Sequence, residues 1–473
     1  MPHTLPTVPT VAIIGGGFTG AAVAYHLARL ADEPVRILVF EPRAEIGLGV
    51  AYSTPDPVHR INVSAARMTL LPDDEDHFVR WLAAHGELDG DPDATLENGQ
   101  SYPARRLFGR YVSEQLRPLL ASGQVEHHPA RIISVASEGS GWLLATGSGE
   151  SFAANIVVIA TSHPPPVPPA ILAQAFGGEP KFIADPWATA ALAPIGRDDR
   201  VLVMGTGLTM ADTVATLDAR GHRGPITAIS RRGQRSRSHA ATHVEPFGDF
   251  VTRPSRTALD LLRRVRVTAR AGRPWQGLFD RLRVLGPDIW KALPLVERRR
   301  LVRHLRPFWD THRFRMAPQI GAILDRRIAD GTLTIQAASI RQAEMRSGRF
   351  AVTLQDRLGQ NRASTLGTLT FDAVIATTGP GHGSILKSQP FLAELRASGS
   401  IVPDPTGLGI AVDEASRLIG THGPSPRAFV AGPLARGAFG ELMGLPEVTN
   451  HALSVATTVS RLLTTSSTVA THA

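Results

Sequence analysis

Apolar residues fall along the chain in two kinds of run. The short ones, Val11–Ile14, Val35–Phe40, Ile156–Thr161, Ile226–Ser230 and Ala428–Ala431, have the length and composition of strands buried in a parallel sheet. Phe371–Gly379 (FDAVIATTG) repeats the form of the strand IVVIATS at Ile156–Ser162, and each runs into a turn of small residues. Elsewhere apolar positions recur at helical spacing. One such stretch runs from about Gly20 to Ala31, and another includes Leu278, Leu282, Leu285, Leu301 and Leu305. Strands alternating with helices predict an α/β fold. No apolar run exceeds strand length, so no transmembrane helix is expected.

Two strand–helix junctions carry glycine-rich turns. The first, VAIIGGGFTGAAVAYHL, sets Gly15, Gly17 and Gly20 at GxGxxG spacing, with Phe18 and Thr19 between them. Glycines there permit a tight turn, close approach to a pyrophosphate and close helix packing, and the helix offers its N-terminal amides to the phosphate. The next strand ends at Glu41, 21 residues past Gly20 (41 − 20), where a carboxylate can bind a ribose diol. This unit reads as an FAD site. The second turn, VLVMGTGLTMADTVATL, has Gly205, Gly207 and Thr209, then Ala211 in the third small position. Its following strand runs into Ser230, Arg231, Arg232 and Gly233, with no acid in the place of Glu41. Serine and arginine there suit the 2′-phosphate of NADPH.

The expected fold is therefore α/β, with two Rossmann-like dinucleotide-binding domains. The strand at Ala428–Ala431 is placed to return to the first sheet and bring backbone amides to the flavin. That makes the FAD domain discontinuous, 1–195 and 381–473, around an NADPH domain at 196–380.

Composition narrows the chemistry. The 473 residues include no cysteine, so electrons cannot pass through a dithiol of the chain's own, and a disulfide reductase is excluded. No HExxH or CxxC pattern is present, and no metal site is expected. The opening MPHTLPTVPT lacks the pattern of a signal peptide, and a cytoplasmic protein is expected. The Ser/Thr-rich tail, Thr464–Ala473, is expected to fray. The net charge of +8 is unevenly placed: Arg253–Arg315 holds 16 Arg and one Lys against five acids, a net of +12 that leaves −4 for the rest. This segment reads as a helical insertion at about 240–318 in the NADPH domain. Solvated helix faces, steering of NADPH or an anionic substrate, a membrane surface and RNA are its alternative meanings, and no aromatic-interleaved motif supports RNA.

Further blocks carry a resemblance. Gly47, Gly49, Ala51 and Tyr52, then His59, Asn62, Val63 and Met68, resemble the GxGxAY…H…NV…M block of the FAD/NAD(P)-binding proteins that include FAD-dependent urate hydroxylases. Pro103, Arg105, Phe108, Gly109 and Tyr111 resemble that family's second flavin-side block. GTGLTMAD and SRRG resemble its NADPH half, and Trp309, Asp310, His312, Arg313, Arg315 and Pro318 its W-D-x-H-R-x-R-x-x-P segment. Gly432 to Glu447 resembles its closing GP…RG…E…PE stretch. The match spans nearly the whole chain, and the layout is shared with class B flavin monooxygenases, including N-hydroxylases. Ser162 departs from a frequent glycine, and Gly440 from a frequent aromatic.

The resemblance implies an NADPH-using FAD monooxygenase that hydroxylates a small polar or anionic metabolite through a C4a-hydroperoxyflavin. Its partners are then the small molecule and molecular oxygen, with no nucleic acid and no membrane; a homo-oligomer stays open. A flavin oxidase or reductase without oxygen insertion, a non-catalytic FAD-bound binding protein and a membrane-surface dehydrogenase are the alternatives. Flavin chemistry needs few catalytic side chains. His59 and Asn62 are candidates to border flavin and substrate, His59 being equally a packed residue. His312 and Arg313 are candidates to hold NADPH phosphate or gate the site, against a helix-surface ion pair. Asp212 reads as a dipole partner at a helix start. Tyr52, Asn62, Met68, Arg105 and Gly432 are expected to join the first glycine turn in holding FAD.

Overall fold

A computed structural model describes residues 8–162, 164–188, 190–357, 365–379 and 382–470. The first seven residues of the opening segment and the last three of the tail lie outside them. Two large sheets organise the described residues, beside a small antiparallel one of Ile132–Glu138, Gly141–Thr146 and Ser151–Ala154. The first orders its strands Arg417–Gly420, Gly423–Val430, Ile156–Ile159, Thr10–Ile14, Arg36–Phe40 and Val125–His128. Val11 pairs in parallel with Ile37 on one side and Ile156 on the other. Ala428 pairs with Val157, so the chain does return to this sheet after building the second. Helix Phe18–Leu30 packs against the C-terminal helix Glu447–Ala470. Its Ala21, Ala22, Ala24 and Ala28 are buried, and with both sides covered it needs no polar stripe. The tail stays helical to Ala470, where fraying was expected. Thr457, Thr458 and Thr464 return their hydroxyls to carbonyls one turn back, which satisfies them within the helix.

The second sheet runs Thr365–Phe371, Arg349–Asp356, Leu333–Arg346, Ile226–Ser230, Val201–Met204, Ala373–Ala376 and Phe182–Ile183. Val201 pairs in parallel with Ile226 and with Ala373. Ile183 pairs with Ile375, and Leu172 and Phe176 of helix Ala170–Phe176 pack with Leu202 and Val374. Residues from Ala170 on therefore already pack against the second sheet, upstream of residue 195. A two-residue strand has no periodicity to read.

Between Ser230 and Pro318 lie the helices Ala258–Ala269, Trp275–Val284, Gly286–Ala292, Leu295–His304 and Arg306–Arg313, and helix Pro318–Ala329 then leads back to the sheet at Leu333. The leucines at helical spacing supply their separate core: Leu278, Leu282 and Leu285 pack with Phe247, Phe250 and Leu261. Thr257 caps the first helix, its Oγ1 accepting from Asp260 N at 3.1 Å. This insert rests on the C-terminal segment of the first unit, where Trp290 Nε1 donates to Gly437 O at 2.9 Å. Among the described residues, no helix is long and apolar enough to cross a membrane.

Candidate functional site

A cavity of about 410 Å³ opens at the C-terminal ends of the first sheet's strands, where doubly wound folds bind ligands. Gly15, Gly17, Phe18, Thr19, Glu41 and Tyr52 line it, together with the 443–445 turn. Two of the motif's glycines are there because the protein leaves no room for a side chain. Gly15 has φ +102°, and an added Cβ would lie 2.7 Å from Ala160 O; at Gly20 it would lie 1.8 Å from Gly15 O. At Gly17 a Cβ would meet only Gly49 backbone, at 3.4 Å, so that face is open. Glu41 is 4% exposed. Its Oε2 accepts from Gly16 N at 3.1 Å, and its Oε1 from Arg43 N at 3.1 Å and Nη1 at 2.9 Å. The carboxylate is fixed at the wall with acceptor capacity left over. A glycine cradle, a helix N-terminus and an anchored carboxylate fit the pyrophosphate and ribose of a dinucleotide.

Gly432 closes the cradle, with φ +81° and a would-be Cβ 2.7 Å from the Thr19 side chain. Its N–H donates to His451 Nδ1 at 3.0 Å, and His451 Nε2 lies 2.9 Å from Ser416 Oγ. Burial holds the His451 pKa down at about 4. The imidazole is therefore neutral, with its proton on Nε2, because Nδ1 must accept. No motif in the sequence marked His451; a single histidine in a helix carries no signal of its own.

The second turn repeats the first. Gly205 has φ +122°, and its Cβ would lie 2.4 Å from Thr377 O, the relation Gly15 has to Ala160 O. This explains the shared form of the two ATS/ATT strands: each ends beside a glycine turn. Gly207 faces open space, with nothing within 4 Å of an added Cβ. Thr209 follows in helix Leu208–Ala219, its carbonyl accepting from Thr213 Oγ1 at 2.8 Å. Ser230 Oγ braces the next turn, accepting from Gly233 N at 3.0 Å and bonding to Thr206 Oγ1 at 2.8 Å. Arg231 is exposed, and Arg232 lies over the Phe308 ring, 4.6 Å from its centroid.

His59 lies away from the cavity, at the junction of the two units. Its Nδ1 bonds to Thr54 Oγ1 at 2.7 Å and its Nε2 to Thr216 Oγ1 at 2.9 Å, and burial lowers its pKa. Arg105 is at the same junction. It pairs with Asp212 at 2.7 Å and donates to Arg60 O at 2.8 Å, so Asp212 is an ion-pair partner across units. Asn62 O accepts from His239 Nε2 at 3.0 Å, and Met68 is buried in the first core.

His312 stacks on Phe279, 4.6 Å between centroids, and its Nδ1 donates to Phe308 O at 2.7 Å. Arg313 and Arg315 point inward rather than forming a helix-surface pair. Arg313 Nε donates to Glu441 Oε1 at 3.1 Å, and Arg315 pairs with Asp280 at 3.1 Å. Arg283 Nε pairs with Glu447 at 2.5 Å. Three of the insert's arginines are thus buried and paired with acids, of which Glu441 is itself buried, and a surface-charge reading could not anticipate this.

Residues 12–164 match the family model described as FAD-NAD(P)-binding. No curated protein matches the chain. Among solved structures it is similar to the ornithine hydroxylase of Pseudomonas aeruginosa, at 15% identity and TM-score 0.64 over 97% of this chain and 100% of that one. An ornithine N-hydroxylase of Kutzneria, with reduced FAD, NADP+ and L-ornithine, is 17% identical, with TM-score 0.62 over 98% and 100%. The FAD-bound cadaverine monooxygenase of Erwinia amylovora is 14% identical, with TM-score 0.64 over 97% and 95%. At these identities the likeness is one of fold.

Proposed function

We propose that this chain is an FAD-dependent, NADPH-using monooxygenase acting on a small molecule. The observation that carries the reading is the glycine-cradled cavity with its anchored Glu41, paired with a second glycine turn that lacks the acid, in a chain without cysteine. N-hydroxylating enzymes of the same layout support it. When bound, FAD accepts hydride from NADPH and activates dioxygen, so that one oxygen atom enters the substrate.

The chain's own residues bind and orient. Gly15, Gly17 and the N-terminus of helix Phe18–Leu30 receive the FAD pyrophosphate, and Glu41 holds the adenosine ribose. Gly432, fixed by neutral His451, presents backbone beside Thr19. Gly205, Gly207 and Thr209 receive NADPH, with Ser230, Arg231 and Arg232 at its 2′-phosphate. His59, Arg105 and Asp212 act as positioning residues that hold the two units in register. Oxygen uptake with NADPH, together with mass spectrometry of a metabolite mixture, tests the reading. A metabolite gaining one oxygen upholds it; peroxide release without such a product marks an oxidase.

A further inference from the structure

A second cavity, of about 350 Å³, lies inside the insert where it meets the C-terminal segment of the first unit. Cavities of this size take small organic ligands. Its walls are mostly apolar, with Leu261, Phe279, Leu282, Trp290, Leu305 and Phe308 among them. Gly440, where an aromatic was expected, is part of this wall: it has φ +80°, and a Cβ there would lie 2.7 Å from the Trp290 ring. The indole from the insert occupies the space an aromatic at 440 would need.

One buried cation in that wall makes no direct ion pair or hydrogen bond through Nε or Nη2, although the carboxylates of Asp310, Glu441 and Asp404 act on it from farther off. Arg436 is 4% exposed, and its Nε and Nη2 are buried without a hydrogen-bond partner. Both acids lining the cavity are already engaged. Asp310 pairs with Arg306 at 3.3 Å, and Glu441 with Arg313 at 2.9 Å. Burial, then the neighbouring Arg306 charge, pushes the Arg436 pKa down to about 10 against the opposing pull of Asp310, Glu441 and Asp404. A desolvated guanidinium with open donors in an apolar wall is costly unless an anion meets it.

We infer that this cavity binds a hydrophobic carboxylate, its apolar body against the insert's leucines and aromatics and its anionic group on Arg436. Met443 lines both this cavity and the nucleotide cavity, so the two adjoin. The adjacency makes the occupant the substrate, an assignment that rests on the flavin reading above; the occupancy itself does not. The insert's net charge pointed to an anion, but the anion's partner is one arginine outside the insert, and the rest of the ligand is apolar.

Calorimetric titration of the purified full-length protein with decanoate and with decanol, without NADPH, tests this. Decanoate should bind once per chain, and at least about tenfold more tightly than decanol. Arg436→Gln should remove that preference and leave decanol affinity unchanged. Val302→Trp, at a half-buried lining position, should weaken both. If Arg436→Gln unfolds, Arg436→Met removes the same charge without adding a polar group. Equal affinity for the two probes in the wild type, or decanoate affinity unchanged in the Arg436 variant, overturns the inference. Decanoate that binds as expected but yields no oxygenated product, while NADPH still reduces the flavin, removes the substrate assignment and leaves the site.

Discussion

Arg313, at the end of the insert's last helix, pairs with Glu441 of the C-terminal segment. Its Nε donates to Oε1 at 3.1 Å, its Nη2 lies 2.9 Å from the same oxygen, and the two residues are 8% and 6% exposed. Glu441 is followed at once by the 443–445 turn that lines the nucleotide cavity. One buried contact therefore links the insert to the wall of the flavin site.

Removing one partner of a buried pair costs about 3–5 kcal/mol, because the other charge is left without compensation. Arg313→Met should lower the melting temperature and reduce bound flavin together. Arg313→Glu should be worse, setting a third acid against Glu441 and Glu447. An Arg313 variant with wild-type melting and flavin content, altered only in its KM for NADPH, would restore the insert arginine as a nucleotide contact.

Gly17 and Gly20 should respond differently to substitution. Gly17→Leu has room in the protein but fills the pyrophosphate space, so a folded, colourless protein is expected. Gly20→Ala drives a Cβ to 1.8 Å from Gly15 O and should impair folding itself. Circular dichroism and flavin absorbance separate the two cases, and a yellow Gly17→Leu protein sinks the assignment of the loop.

Nucleotide choice is expected to follow Arg231 first. It is exposed at the end of the second unit's strand, whereas Arg232 already rests on Phe308. A charge-assisted contact contributes about 1.5–3 kcal/mol, so Arg231→Ala should cut the preference for NADPH over NADH about tenfold or more. Arg232→Ala should add less. Stopped-flow flavin reduction with each nucleotide reads the ratio; an unchanged ratio in the double variant refutes the phosphate site.

His451 predicts an acid limit. Its pKa falls from 6.5 to about 4 on folding, so below pH 6.5 the unfolded chain binds the proton and the folded one does not. Stability is present in full above 6.5 and declines as pH falls toward 4, by about 3 kcal/mol for this group. His451→Gln should reduce that slope, and His239, which burial also holds at about 4, should supply part of what remains. A slope between pH 6.5 and 4 identical to wild type would show that His451 does not contribute to it.

The glycine turns, their strands and Glu41 were legible in the sequence because each depends on residues close along the chain. A turn needing positive φ at Gly15 or Gly205 must be glycine wherever the rest of the protein lies. The strand Ala428–Ala431 was legible too, as a buried run awaiting an edge. Periodicity reports that a face is buried, not what it meets. The Arg313–Glu441 pair joins residues 128 apart, and the block that marked Arg313 as a candidate does not reveal the acid it meets. His59 matched a block that pointed to the flavin, yet docking of the two units carried it to Thr216 on the second. Arg436 sits in a recognisable Arg-Gly pair, but the open donors on its Nε and Nη2 are a property of the packed interior alone. Which charges end buried, and which of those find partners, was decided when the insert closed on the C-terminal segment and excluded water from both.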